Sequence, residues 1–191
     1  MKINTKNFVL VLVACIVIMK SSGIVLLGVV GGAISSVLSK YLKVMFASLR
    51  VSSEFSRRPP TDVQPEPGMP SSHAMNLFFL SLFYTKHLKL SQGMSIFVVS
   101  SACALSILRV LRGHHTIAQV IVGAFFGSFV YFCFDFAIQR LELARFLDER
   151  ILSLLDIQSR RVIFIVLSII LIYLFNLANS RWKHSFVKKK K

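Results

Sequence analysis

The residues best suited to chemistry are the histidine of Pro70-Ser71-Ser72-His73 and, thirty-six residues further on, Arg109 with His115. Each lies at the edge of an apolar segment, where an ionisable side chain is costly and therefore points to function. The apolar segments between them, 74–84 and 94–108, leave one side of a bilayer and return to it. We therefore expect these side chains to meet. Clustered Arg, Lys and His, with few carboxylates and no cysteine ligands, favour phosphate over a metal ion.

The composition indicates that a membrane holds this cluster. Of 191 residues 54% are hydrophobic, and the mean hydropathy of +0.67 is too apolar for a soluble domain of this size. A helix needs about 20 apolar residues to cross a bilayer. We predict one domain, 1–191, forming an all-α integral membrane bundle of four to six transmembrane helices, with six preferred. The apolar runs are 8–19, 24–38, 74–84, 94–108, 116–138 and 162–178.

The charge distribution argues for lipid headgroups and against nucleic acid as a partner. The net charge is +15, but the basic residues lie mostly between the apolar runs or in the tail, 181–191. Membrane topology and anionic lipids account for such a pattern. Cys15, Cys103 and Cys133 lie within apolar runs at no metal-like spacing, so we interpret them as small core residues and expect no cofactor. The first run has a poor cleavage site and predicts an uncleaved first span, with no transit segment.

The chain between the runs predicts how the candidate residues are positioned. The stretch 51–70 contains all five prolines and predicts a water-facing loop, preceded by a helix that continues to about residue 50. At its end a serine can cap the helix from about 74, whose free N–H groups favour an anion. The glycine pairs Gly28/Gly32 and Gly123/Gly127 permit close helix packing.

The region between Arg140 and Arg161 predicts an amphipathic helix lying in the membrane interface. Its apolar face consists of Leu143, Leu147, Ile151, Leu154 and Leu155. Asp135, the acidic residue inside an apolar run, is interpreted as a side chain that reaches the interface and is left out of the site.

With these motifs in place, residues 30–135 resemble the type 2 phosphatidic acid phosphatase (PAP2) superfamily of membrane lipid phosphatases. That family carries a Lys separated by six residues from Arg-Pro, then Pro-Ser-Gly-His, then Ser-Arg with a His six residues after the Arg and an Asp four beyond. Here the second motif is Pro70-Ser71-Ser72-His73, and the third is Leu108-Arg109 with His115 and Gln119. The Ser for Gly and the Gln for Asp resemble the branch of dolichyl diphosphatases and plant-type lipid phosphate phosphatases.

The first motif is less regular. Lys43 and Arg50 have the family spacing, but Val51 stands where proline is expected. Arg58-Pro59 offers the dipeptide, yet it then places Val51 at the lysine position. We prefer Lys43 and Arg50.

The resemblance implies a role for each matching residue. His115 would attack phosphorus and carry the phosphoryl group, and His73 would act as general acid and base. The phosphate oxygens would be bound by Lys43, Arg50, Ser71, Ser72 and Arg109, and no metal is required. Gln119 would orient His115, although it supplies no charge. His114 is an alternative nucleophile, which the six-residue spacing disfavours.

The resemblance implies hydrolysis of a lipid phosphate. The predicted substrates are an isoprenoid diphosphate such as dolichyl diphosphate and, as the alternative, phosphatidate; a non-catalytic phospholipid-binding protein is a second alternative. The terminal lysines are typical of a topology anchor. With a cytosolic tail, Lys188 and Lys189 also resemble a dilysine retrieval signal, so the endoplasmic reticulum is the predicted location, with a chloroplast or other organelle membrane as alternatives. A small excess of basic residues favours a cytosolic site, whereas the dolichyl diphosphatase resemblance implies a lumenal one. Oligomeric state and orientation stay open.

Overall fold

The computed structural model describes residues 23–48, 67–156, 158–160, 162–164, 166–167 and 170. This part of the chain is helical and contains no strand. Its helices are α1 (Gly23–Ser48), α2 (Ser72–His87), α3 (Gln92–Leu111), α4 (Ile117–Arg140) and α5 (Leu143–Phe146). Within the described part, α1, α3 and α4 are long and apolar enough to cross a membrane. The predicted all-α membrane bundle is confirmed, and the count of six spans stays a prediction.

Helix α2 occupies the centre of the bundle and packs against α1, α3 and α4. It has 16 residues, and its side chains Met75, Phe79 and Phe83 are fully buried. The rings of Phe79 and Phe83 stack on each other and contact Phe134 of α4. The longer helices therefore surround α2 and fix its position, which matters because α2 begins at the predicted site.

Helices α2 and α4 run parallel and in close contact. A Cβ atom added to Gly123 would lie 2.6 Å from the carbonyl oxygen of Ser71, and one added to Gly127 would overlap the backbone of Met75. Only glycine permits this backbone contact, so the predicted role of this glycine pair in close packing is confirmed. Because both helices begin at the same end of the bundle, their first turns lie side by side.

Helices α1 and α2 run antiparallel. Gly28 lies against Tyr84, Gly31 lies against Phe79, and Asn76 bonds to Ser36. Later residues of α1 thus contact earlier residues of α2. Continuing this register places the end of α1 level with the beginning of α2.

The outward surface of the bundle suits hydrocarbon. Along α4, four phenylalanines at helical spacing are each more than half exposed, namely Phe125, Phe129, Phe132 and Phe136. Helix α3 buries only Ala102 and Ser106 within the described bundle. An apolar surface of this extent is expected on a helix in contact with lipid.

Asp135 lies at the end of the bundle opposite the beginnings of α2 and α4. It is only 6% exposed, and its carboxylate lies 2.5 Å from Lys86 Nζ and 2.9 Å from His87 Nε2. Gln139 Nε2 donates a further hydrogen bond to it at 2.7 Å. Asp135 thus lies near a helix end, as expected, but its carboxylate is buried there. Because a buried carboxylate requires partners, it is paired with the last turn of α2, whose Lys86 side chain is 47% exposed.

The segment after α4 differs from the single amphipathic helix that we expected. Helix α5 is followed by a π-helical turn, Leu147–Ile151, and a 3-10 turn, Leu152–Leu154. These turns change the angular spacing of the side chains, so Leu152 is buried whereas Leu154 is 82% exposed. Leu143, Leu147 and Leu155 do pack on the core.

The segment ends at Asp156, which accepts hydrogen bonds from the backbone N–H groups of Gln158 and Ser159. Bonds from the Ser159 side chain and backbone hold the pKa of the Asp156 carboxyl below its ordinary value. The charged carboxylate therefore caps the helical residues that follow it.

Candidate active site

The site is built where the parallel helices α2 and α4 begin. Ser71, the residue before α2, is fully buried, and its backbone N–H donates to the carbonyl oxygen of Gln119 at 3.0 Å. Its hydroxyl accepts the N–H of Ala74 at 3.5 Å and caps the helix, as the sequence predicted. These bonds attach the Pro70-Ser71-Ser72-His73 motif to the first turn of α4. The second and third motifs therefore lie next to each other.

A reciprocal cap fixes the first turn of α4. The Thr116 hydroxyl accepts the N–H of Gln119 at 3.3 Å, and Gln119 Oε1 accepts the N–H of Thr116 at 3.3 Å. This capping box satisfies two N–H groups that have no carbonyl partner within the helix. It also holds the Gln119 side chain, which is fully buried.

The same amide determines which nitrogen of His115 carries the proton. His115 is 3% exposed, and its Nδ1 lies 3.0 Å from Gln119 Oε1. A backbone N–H can only donate, so the atom that accepts from Thr116 is the amide oxygen. His115 Nδ1 must then be the donor, and in the neutral ring the lone pair is on Nε2. That assignment suits a nucleophile whose attacking atom is Nε2.

Arg109 lies in the last turn of α3, and a glycine turn connects it to His115. The N–H of His114 donates to the Arg109 carbonyl oxygen at 3.0 Å, and the N–H of Gly113 donates to the Val110 carbonyl oxygen at 2.9 Å. This pair of bonds is a Schellman motif, which requires a left-handed residue, and Gly113 has φ 67°. Gly113 was not among the predicted residues; a glycine shortly after the apolar run 94–108 was the available signal.

The other predicted site residues that the structure describes lie at the same end of the bundle. Lys43 is 2% exposed near the end of α1, and the antiparallel register places it level with the beginning of α2. His73 and Ser72, in the first turn of α2, are half-buried, as is Arg109. Arg50 and the alternative Arg58-Pro59 lie outside the described residues. Lys43, His73, Arg109 and His115 thus belong to one end of the bundle.

The residues before α2, from Gly68 to Pro70, cover the side chain of Gln119. A Cβ atom on Gly68 would lie 2.6 Å from Gln119 Nε2, Pro70 is fully buried, and the Met69–Pro70 peptide bond is cis. Water is therefore excluded from the Gln119 amide. Among the described residues no three His, Cys, Asp or Glu side chains are grouped as metal ligands. Metal independence itself is a property of the reaction and stays a prediction.

Fold and site together define an α-helical membrane protein that gathers histidines, a lysine and an arginine at two helix N-termini at one end of the bundle. A sequence model of the PAP2 superfamily matches residues 22–140, and the chain belongs to that superfamily. The resemblance predicted from the three motifs is confirmed.

Two curated plant proteins are similar to this chain. Lipid phosphate phosphatase epsilon 1, chloroplastic, of Arabidopsis thaliana is 35% identical over 131 residues, covering 65% of this chain and 44% of the relative. Lipid phosphate phosphatase epsilon 2, chloroplastic, of the same plant is 33% identical over 131 residues, covering 65% of this chain and 43% of the relative. The chain thus spans less than half the length of these relatives. Their names agree with the predicted branch, and no solved structure matches.

Proposed function

We propose that this protein is a metal-independent membrane phosphatase that hydrolyses a lipid phosphate or diphosphate through a phosphohistidine. The observation that carries the proposal is the bond from His115 Nδ1 to the Gln119 amide, within the capping box of α4. It presents a buried imidazole with its lone pair on Nε2, beside the first turn of α2. First-turn N–H groups lack carbonyl partners within their helix and favour an anion.

The proposed reaction has two displacements at phosphorus. In the first, His115 Nε2 forms a bond to phosphorus, the bond to the leaving oxygen breaks, and His73 donates a proton to that oxygen. In the second, His73 takes a proton from water, the water oxygen attacks phosphorus, and the bond to Nε2 breaks. Lys43 and Arg109, with Arg50, Ser71 and Ser72, would bind the non-bridging oxygens, where charge increases in the transition state.

An isoprenoid diphosphate such as dolichyl diphosphate is the first proposed substrate. The motif branch supports it, because Ser72 and Gln119 stand where the wider family has Gly and Asp. The relatives' printed name, lipid phosphate phosphatase, favours phosphatidate or a similar monophosphate as the second candidate. Both substrates would use the same site residues, so an assay must separate them.

The decisive experiment measures phosphate release by the full chain in detergent from dolichyl diphosphate and from phosphatidate, with chelator present. We expect His115→Ala to lower the rate by about 10³-fold or more, because it removes the nucleophile. His114→Ala is the matched control, since it deletes the neighbouring imidazole. Trapping should give an acid-labile, base-stable phosphoenzyme in the wild type and none in His115→Ala.

Two outcomes would contradict the proposal. Release that needs a metal ion would exclude the metal-independent mechanism. No release from either substrate by folded wild-type protein, with lipid still bound, would support the non-catalytic phospholipid-binding protein, to which Val51, Ser72, Leu108 and Gln119 also point.

The organelle is proposed on two signals. With a cytosolic tail, the resemblance of Lys188 and Lys189 to a dilysine signal favours the endoplasmic reticulum, whereas the two relatives are named chloroplastic, which supports a chloroplast membrane. Antibody staining of the untagged chain in its own cells distinguishes these two locations.

A further inference from the structure

The interface between α1 and α2 is polar at the site end and apolar beyond it. Asn76 Nδ2 donates a hydrogen bond to Ser36 Oγ at 2.5 Å across this interface. In the next turns away from the site the contacts are apolar, beginning with Gly31 against Phe79. We use the name polar seam for the four polar residues of the site end, Ser35, Ser36, Ser39 and Asn76.

The polar seam lies one helical turn further from the site end of the bundle than the predicted phosphate-binding residues. Asn76 follows His73 by three residues, so both side chains lie on one face of α2. Lys43 follows Ser36 by seven residues and shares a face of α1 with it. Because the helices are antiparallel, Lys43 and His73 both lie on the site side of the Asn76–Ser36 bond. One helical turn, about 5.4 Å, separates the polar seam from the level of His73.

The polar seam contains buried atoms whose hydrogen-bonding capacity is unused. Among the described residues, Asn76 Oδ1 and Ser35 Oγ are buried and have no hydrogen-bond partner. A polar atom buried in this way costs free energy unless a ligand or water satisfies it. The Asn76 amide can also turn by 180°, accept from the Ser36 hydroxyl, and direct its NH₂ group to the vacant position. It can therefore offer either an acceptor or a donor.

We propose that the polar seam binds the leaving group of the substrate, specifically the inner phosphate of a diphosphate. This inference rests on the proposed function. The outer phosphoryl group would lie at Lys43 and His115 and the hydrocarbon chain in the membrane, so the part between them passes the polar seam. An inner phosphate offers charged acceptor oxygens to the NH₂ group of the turned Asn76 amide, which the Ser36 hydroxyl holds in that orientation, and such bonds are stronger than neutral ones. A monophosphate ester of the same alcohol has no such group at that position.

The test compares farnesyl diphosphate with farnesyl phosphate, which share one hydrocarbon chain and differ by one phosphate. Asn76→Asp keeps the side-chain shape but places a carboxylate beside the inner phosphate. We expect it to lower kcat/KM for the diphosphate at least about tenfold more than for the monophosphate, mainly through KM. Ser36→Ala should change the ratio in the same direction by a smaller factor.

Ser101→Ala is the matched control, because it removes a hydroxyl from the outer surface of α3, where Ser101 bonds only to the Phe97 carbonyl of its own helix. The unfolding midpoint of each variant shows whether it is folded. If Asn76→Asp does not fold, the ratio of the two kcat/KM values of Ser36→Ala decides the test. Equal losses with both substrates would overturn the leaving-group site and leave the polar seam as packing between helices. Phosphate release by the wild type from neither farnesyl substrate, nor from dolichyl diphosphate or phosphatidate, would instead refute the proposed function itself.

Discussion

Gln119 combines two tasks in one side chain. Its amide oxygen accepts the N–H of Thr116, which completes the helix cap, and the Nδ1–H of His115, which sets the tautomer of the imidazole. An aspartate in this position would add a negative charge and stabilise the protonated ring. The Gln119 amide orients the His115 ring but adds no charge, so the reactivity of the proposed nucleophile depends on the orientation of that ring.

Replacement of Gln119 tests this dependence. We expect Gln119→Leu to lower kcat by about 10²-fold, with a smaller effect on KM, because the ring of His115 loses its acceptor. Gln119→Glu should keep most of the activity and move the acidic limb of the pH–rate profile to higher pH, since a carboxylate favours the protonated ring.

Gln92→Leu is the control for these variants, because it removes an exposed amide from the opposite end of the bundle. Equal activity of Gln119→Leu and wild type would show that the His115–Gln119 contact does not orient the nucleophile.

At this scale the sequence predicted residue types and spacing better than contacts. The interval from Arg109 to His115 to Gln119 was readable, because it matches the spacing of the family's third motif. The Schellman turn at Gly113 was not identified, since that turn is defined by backbone bonds to α3. The ion pairs of Asp135 were missed for a related reason, because Lys86 and His87 are brought to it by the parallel packing of α2 on α4.

Among the helices, the contact between α2 and α4 has the greatest influence on the site. Gly123 and Gly127 let the α4 backbone touch that of α2, which allows Ser71 to reach the Gln119 carbonyl. Any separation of the two helices at this end would lengthen that bond.

A methyl group at this contact should therefore disturb stability and activity together. Gly127→Ala places a Cβ atom into the Met75 backbone, and we expect a loss of about 1–3 kcal/mol of unfolding free energy. Phosphate release should fall in parallel. Thermal unfolding in detergent and the phosphate assay measure the two effects.

Gly93→Ala is the matched control, because a Cβ atom there meets nothing within 4 Å. An unchanged midpoint for Gly127→Ala would mean that α2 and α4 are not packed this closely. The glycine spacing was visible in the sequence, whereas its partner was not, since small-residue spacings alone do not specify which helix packs against them.

For the molecule as a whole, helix α3 is long and apolar enough to place the two ends of the bundle on opposite sides of a membrane. Its 20 residues span about 30 Å, which matches the hydrocarbon thickness of a bilayer. The turn at Lys89 and the turn at Arg112 lie before and after it.

Single cysteines at these turns, in a background without the native cysteines, test this arrangement in sealed vesicles. We expect Lys89→Cys and Arg112→Cys to react with an impermeant maleimide from opposite sides, and the side that labels Arg112→Cys identifies the compartment of the site. Labelling of both positions from one side would contradict a transmembrane α3. The bundle and its helical class followed from apolar length alone, but orientation did not, because the basic residues are nearly balanced between the two sides.

The parallel packing of α2 and α4 also has an electrostatic consequence. Each helix carries a macrodipole with partial positive charge at its beginning, and two parallel dipoles at glycine-contact distance repel each other. At the far end Lys86, which pairs with Asp135, and Arg140 occupy the last turns, where positive charge offsets the negative poles. At the site end the proposed phosphate would supply the matching negative charge. Its binding would therefore also relieve the electrostatic repulsion between the first turns of α2 and α4.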